Sequence, residues 1–182
     1  MSRPASVKGR ERLRLFCALR LPEPVLDTLV EWGGRHLRER VVSRPNLHIT
    51  LAFLGHRPTD ELGGVVESMR AAAAAAGPIR LEPLRYRETR SVGMLVLADG
   101  GGAAAGLAED LHGRLEALGV YEREQRRWLP HLTVVRFRQP PGLDPPLPEL
   151  GPFGPSDAAV YLSWLRSTGA QYEVVESFVL GG

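Results

Sequence analysis

The sequence predicts an α+β fold. Predicted strands outnumber helices, and the helices fall between groups of strands instead of alternating with single ones. A short His-x-Thr repeat also recurs once in each half of the 182-residue chain.

The elements follow in order. Residues 1–12 are basic and polar and are expected to form a flexible tail, leaving 13–182 as a single domain. Residues 13–21 form an apolar strand stopped by Pro22 and Pro24. Pro24 suits the first turn of a helix whose Val25, Leu26, Leu29 and Val30 recur at helical spacing, and which is expected to weaken at Gly33-Gly34. Residues 47–54 alternate as a strand ending at Gly55. Thr59 is placed as an N-cap, with Asp60 and Glu61 in the first turn of a helix. Leu62, Val65, Val66 and Met69 form its apolar stripe, and Gly77-Pro78 ends it.

Two strands over 79–88 and 92–98 come next, and residues 99–102 break the chain. Leu107, Leu111, Leu115 and Leu118 mark a third helix closed by Gly119. A strand over 129–137 follows, then an irregular proline-rich excursion over 139–155. Strands at about 158–166 and 172–180 finish the chain.

Composition narrows the class. Hydrophobic residues at 43% and charged residues at 24% suit one globular domain with a good core. No apolar run approaches the roughly 20 residues of a membrane span. The basic start has no apolar stretch behind it, so a cytoplasmic protein is expected, with no membrane association. Cys17 is the single cysteine, which excludes an intramolecular disulfide and a cysteine zinc site; a small buried hydrophobe is expected there. Net charge is only +2, which permits a nucleic-acid partner without arguing for one. All the lysine-plus-arginine charge but Lys8 is arginine, which recognises phosphate in a forked geometry and stacks on bases; with the run Ala71 to Ala76, codon bias is the favoured reading.

The repeat carries the chemistry: His48-Ile49-Thr50-Leu51 and His131-Leu132-Thr133-Val134. Strand residues i and i+2 share a face, so each copy points its histidine and threonine one way. Ile49, Leu51 and Phe53 are expected on the core face of the first copy, and Leu132 and Val134 on that of the second. An imidazole moves a proton near neutral pH, and a hydroxyl donates to a phosphate oxygen. Two such units face to face give a base for the attacking water and an acid for the departing oxygen, as in-line displacement at phosphorus requires. One copy of so short a motif carries little weight; two in separate halves carry much more. His36, His56 and His112 are assigned surface or structural roles. No H-E-x-x-H, Cys-x-x-Cys, carboxylate–histidine cluster or P-loop is present, so no metal or other cofactor is expected.

With these residues in place, the sequence resembles the two-histidine phosphoesterase superfamily. Within it, the chain is similar to the bacterial and archaeal RNA 2′,3′-cyclic phosphodiesterases, also called 2′-5′ RNA ligases. Arg14-Leu15-Phe16-Cys17-Ala18-Leu19-Arg20-Leu21-Pro22 resembles the opening strand. Asn46-Leu47-His48-Ile49-Thr50-Leu51-Ala52-Phe53-Leu54-Gly55 resembles the first motif, and Pro130-His131-Leu132-Thr133-Val134-Val135-Arg136 the second. Tyr161-Leu162-Ser163 with Gly169 and Tyr172 resembles the closing strand pair.

The resemblance implies two pseudo-symmetric lobes of antiparallel sheet with flanking helices and a cleft between them. It implies that His48 is the proton donor and His131 the acceptor, while Thr50 and Thr133 hold the phosphate. The implied reaction opens an RNA 2′,3′-cyclic phosphate to a 2′-phosphate without metal, on RNA ends that include tRNA fragments and with no obligate protein partner. Reverse 2′-5′ joining is the other activity implied. Arg136 also matches the family pattern as a substrate contact. Strand parity, however, turns position 136 toward the core, unless the strand twists or bulges after Val135 or the arginine forms a structural salt bridge. Two rival readings are the same chemistry on a small cyclic nucleotide or cyclic ADP-ribose phosphate, and a non-catalytic RNA-binding module.

Overall fold

A computed structural model describes residues 5–7 and 9–181. Its eleven main elements are β1 (Arg12–Arg20), α1 (Glu23–His36), β2 (Arg40–Val41), β3 (Ile49–Pro58), α2 (Leu62–Ala75), β4 (Leu81–Glu88), β5 (Val92–Asp99), α3 (Ala103–Ala117), β6 (His131–Arg136), β7 (Asp157–Arg166) and β8 (Gly169–Phe178). They build two four-stranded antiparallel sheets, ordered β3-β1-β7-β8 and β2-β6-β5-β4. The fold is α+β, as the grouping of strands and helices predicts. Each sheet carries one copy of the His-x-Thr repeat: the first begins at His48, immediately before β3, and the second opens β6.

The helices pack between and behind the sheets. Helices α2 and α3 touch each other, α2 packs on β7 and β8, and α3 packs on β3 and β5. One large core runs through both lobes and includes Leu15, Leu19, Ile49, Leu51, Met69, Leu95, Leu111, Leu115 and Leu132. A second, small cluster of Phe16, Ala18, Ala159 and Tyr161 lies on the other face of the first sheet, with Tyr172 and Val174 against it. Cys17 is fully buried and burial pushes its thiol pKa up to about 12, so it packs as a hydrophobe. No helix among the described residues is long and apolar enough to cross a membrane.

Several local expectations change. Residues 1–4 and 8 of the expected tail lie outside the described residues. Nearer the domain, Val7 is only 2% exposed and the Ser6 hydroxyl bonds Glu173, so this part of the segment is docked. Helix α1 does not weaken at Gly33-Gly34 but continues to His36. Gly33 is buried against Val41, whose Cγ1 would lie 3.3 Å from an added Cβ, so close packing and not a helix end explains that glycine. Thr59 does not cap α2: its hydroxyl and its N–H bond the carbonyls of Arg10 and Glu11, and a 3-10 turn at Thr59–Glu61 leads into the helix. Strand β3 runs past Gly55 to Pro58, because Gly55 adopts a φ of 67° and carries the chain through an irregularity in the register.

The 139–155 stretch is irregular, as its prolines predict, yet it is fastened down. The Trp32 indole donates to the Pro146 carbonyl, the N–H groups of Gly142 and Leu143 donate to the Glu88 carboxylate, and Phe153 bridges to Leu81.

Candidate active site

A register shift shapes each motif strand. In the β3–β1 pair, Ala18 lies opposite Thr50 and Cys17 opposite Ala52, so Leu51 is an extra residue. In the β6–β5 pair, Met94 lies opposite Thr133 and Gly93 opposite Val135, so Val134 is an extra residue. Both are β-bulges directly after the threonine, and a bulge reverses the alternation beyond it. Gly93 is required beside the second bulge, since an added Cβ would meet Val135 Cγ1 at 2.6 Å and the Tyr86 hydroxyl at 2.1 Å.

The bulges overturn one expectation and settle another. Phe53 does not lie in the core; Ala52 takes the buried position, and Phe53 is 48% exposed on the same face as Thr50. Arg136 likewise turns out of the core, while Val135 is buried. The bulge sits at Val134, one residue earlier than the position at which strand parity first fails. Arg136 has no carboxylate within salt-bridge range among the described residues, so it is not held as a structural ion pair.

All five candidate residues, His48, Thr50, His131, Thr133 and Arg136, line one cavity of about 550 Å³ between the sheets. Its wall also includes Arg14, Phe16, Arg40, Asn46, Phe53 and Tyr172. Among the described residues no aspartate or glutamate lines it, although the chain has 21 of them. The overall charge of +2 therefore conceals a cleft carrying three arginines and two histidines. His36, His56 and His112 lie outside it.

The two histidines are oriented alike. Nδ1 of His48 lies 2.8 Å from the Asn46 carbonyl, and Nδ1 of His131 lies 2.8 Å from the Leu129 carbonyl. A carbonyl only accepts, so Nδ1 carries the proton in both rings and Nε2 is left for the cleft. Nε2 of His48 is 2.9 Å from the Thr50 hydroxyl, which donates to it when the ring is neutral. The His48 ring packs against Phe16, Tyr172 and Tyr161, with centroids 4.9, 5.4 and 6.0 Å away. Burial lowers its pKa to about 4; the hydrogen bond to Asn46 opposes that, and the charges of Arg136 and His131 add to it.

Other residues, to which the sequence assigns no role in the site, hold this frame. The Asn46 amide donates to the Ala170 carbonyl in the β7–β8 hairpin, tying the His48 partner to the first sheet. At the first bulge, Nε2 of His112 donates to the Leu51 carbonyl at 2.7 Å and the Trp128 indole donates to the Thr50 carbonyl at 3.1 Å. His112 is thus a structural histidine, only 6% exposed and packed on Tyr121. The second bulge is held by backbone, with the Val42 N–H on the Val134 carbonyl at 2.9 Å. Arg14 donates to the Ser163 hydroxyl and lies over the Phe53 ring at 4.6 Å. Sequence spacing does not reveal these hydrogen bonds, because every one of them joins distant parts of the chain.

The sequence and the architecture have counterparts among known proteins. The model of the 2′-5′ RNA ligase superfamily matches residues 21–167. An RNA 2′,3′-cyclic phosphodiesterase of Thermus thermophilus is 30% identical over 188 residues, an alignment covering 93% of this chain and 91% of that protein. The crystal structure of TT0787 from the same organism superposes with a TM-score of 0.77 at 29% identity, over 92% of this chain and 98% of that one. Escherichia coli LigT complexed with 3′-AMP shares the fold, with a TM-score of 0.79 at 21% identity, over 94% of this chain and all of that one.

Proposed function

This chain belongs to the 2′-5′ RNA ligase superfamily, and on that premise we propose that it hydrolyses the 2′,3′-cyclic phosphate of an RNA end to a 2′-phosphate. One observation carries the reading. Two histidines with Nδ1 committed to carbonyls and two threonines line a single cavity that is rich in arginine and, among the described residues, has no carboxylate. That is a site for an anion attacked and released by proton transfer. The same-sense relative adds support, since the cyclic phosphodiesterase of Thermus thermophilus aligns nearly end to end with this chain.

The chemistry balances with these groups alone. One Nε2 takes a proton from water as its oxygen attacks phosphorus. The bond from phosphorus to the 3′-oxygen breaks on the opposite side, and the second histidine gives that oxygen its proton. The Thr50 and Thr133 hydroxyls hold the non-bridging oxygens, where charge is highest. Both Nδ1–H groups are committed to carbonyls, which fixes the tautomer and the ring plane at no cost during the reaction.

The family resemblance gives His48 the donor role and His131 the acceptor role. The low basicity of His48 favours the reverse, because an imidazole with a pKa of about 4 starts neutral at pH 7 and is ready to accept. The pH profiles of single variants decide between the two.

The test of the function is turnover of an RNA oligonucleotide ending in a 2′,3′-cyclic phosphate, with EDTA present. The expected product is the 2′-phosphomonoester, formed at an undiminished rate. A 3′-phosphate product would mean that the other ester bond is broken. Loss of turnover on chelation, restored by a divalent ion, would refute the metal-free mechanism.

A further inference from the structure

We propose that Arg40 and Arg136 form a second phosphate subsite, which holds the internucleotide phosphate upstream of the cyclic end and makes the protein selective for RNA over cyclic mononucleotides. The proposal rests on the cyclic-phosphate reading above and adds what the site selects.

Arg40 lies directly opposite Arg136 in the β2–β6 pair. Like charges in directly opposed positions repel and destabilise a sheet. Among the described residues neither arginine has a carboxylate within salt-bridge range, although eight other arginines do. Both line the cavity that holds the two histidines. The pair is therefore left uncompensated inside the cleft, and two guanidinium forks side by side match a phosphodiester.

The backbone is arranged to keep the pair there. Strand β2 is only two residues long and serves little purpose as a strand. Glu39, just before it, has a φ of 67°, the one non-glycine residue with positive φ among the described residues. Such a conformation is strained for a residue with a side chain and concentrates at ligand-binding positions. Right after Arg40 and Val41, the Val42 N–H holds the Val134 carbonyl, at the bulge that swings Arg136 out of the core. One small construction thus presents both arginines to the cleft. The cavity, at about 550 Å³, also lies within the range that holds a whole organic ligand, not a phosphate group alone.

The experiment compares kcat/KM for a dinucleotide ending in a 2′,3′-cyclic phosphate with kcat/KM for the cyclic mononucleotide. The wild-type ratio is expected to exceed one, and Arg40→Gln to lower it by roughly 10- to 100-fold, the worth of hydrogen bonds to a charged group. A dinucleotide with a neutral methylphosphonate linkage should lose the same advantage in the wild type and lose nothing more in Arg40→Gln. That non-additivity is what a merely structural role for Arg40 would not produce. Arg40→Lys, which keeps the charge, should restore part of the ratio and guards against a folding defect.

An unchanged ratio in folded Arg40→Gln, or full activity on the methylphosphonate, overturns the subsite. ADP-ribose cyclic phosphate carries its second charge as a pyrophosphate. If Arg40 raises turnover of that compound but not of the dinucleotide, the subsite serves small nucleotides and the RNA assignment is wrong. Failure of the wild type on every cyclic phosphate would instead refute the cyclic-phosphate reading.

Discussion

At the start of β3 and of β6 a histidine donates its Nδ1–H to the carbonyl two residues earlier, a threonine follows on the same face, and a bulge comes next. The residue that the bulge turns into the cleft is Phe53 in one copy and Arg136 in the other. The surroundings of the histidines differ as well. His48 is walled by three aromatic rings, whereas no aromatic ring stacks on His131 among the described residues. A repeated frame can therefore hold two chemically unlike sites. The strand sets where Nε2 points, and the packing around it sets how readily that nitrogen holds a proton.

The largest effects are expected from breaking the frame at its nitrogens. His48→Gln and His131→Gln should each lower kcat/KM by about 10²- to 10⁴-fold, the usual worth of a positioned acid or base. The comparison then turns on the limbs of the pH profile, since kcat/KM follows the ionisations of the free enzyme. As the acceptor, His48 must be neutral, so with a pKa of about 4 the wild-type rate should rise as pH climbs through that value. His48→Gln would then erase the acid limb. If it erases the alkaline limb instead, His48 is the donor. Near-full activity in either folded variant would end the two-histidine mechanism for this protein.

Replacing the hydroxyls should cost less and separate the two copies further. Thr50→Val and Thr133→Val keep the β-branched shape that suits a strand. Each should lose a hydrogen bond to a charged oxygen, about 1.5–3 kcal/mol or some 10- to 150-fold in kcat/KM. Thr50 also hydrogen-bonds Nε2 of His48, donating to the neutral ring and accepting a stronger, charge-assisted bond from the protonated one. Thr50→Val should therefore move the His48 limb downward in pH, and Thr133→Val should leave it in place. Identical profiles in the two variants would show that this hydrogen bond has no influence on His48.

Much of this frame is legible in the residues. Alternation, turn residues and helical spacing locate the strands and helices, and the recurrence of His-x-Thr identifies the face that matters. The bulges are not legible, because strand parity assumes regular pairing, and nothing in Leu51 or Val134 announces an extra residue. That single omission misplaced Phe53 in the core and made Arg136 look improbable as a cleft residue. The Arg40–Arg136 pairing is equally hidden: it joins a two-residue strand to one nearly a hundred positions later. The mean charge gave no hint either, since the acidic residues are kept off the cleft wall.

The mildest test concerns how the two bulges are fastened. At Val134 the bonding partner is the backbone N–H of Val42, which any residue except proline retains, so Val42→Ala should leave the β6 motif unaffected. At Leu51 the partner is a side chain, His112, reaching from α3 on the far side of the core. His112→Leu fills similar space but strands a buried carbonyl, which costs about 1–3 kcal/mol. Stability should fall by that amount. If about 1 kcal/mol of it is felt as misplacement of Thr50, kcat/KM should fall roughly fivefold. His112→Gln sets an amide N–H near the position of Nε2 and should recover most of both losses. Rescue by glutamine separates loss of the hydrogen bond from loss of packing against Tyr121, which neither variant restores. Should His112→Leu match the wild type in both stability and rate, the pairing with β1 and the Trp128 indole on the Thr50 carbonyl would suffice to hold the first bulge.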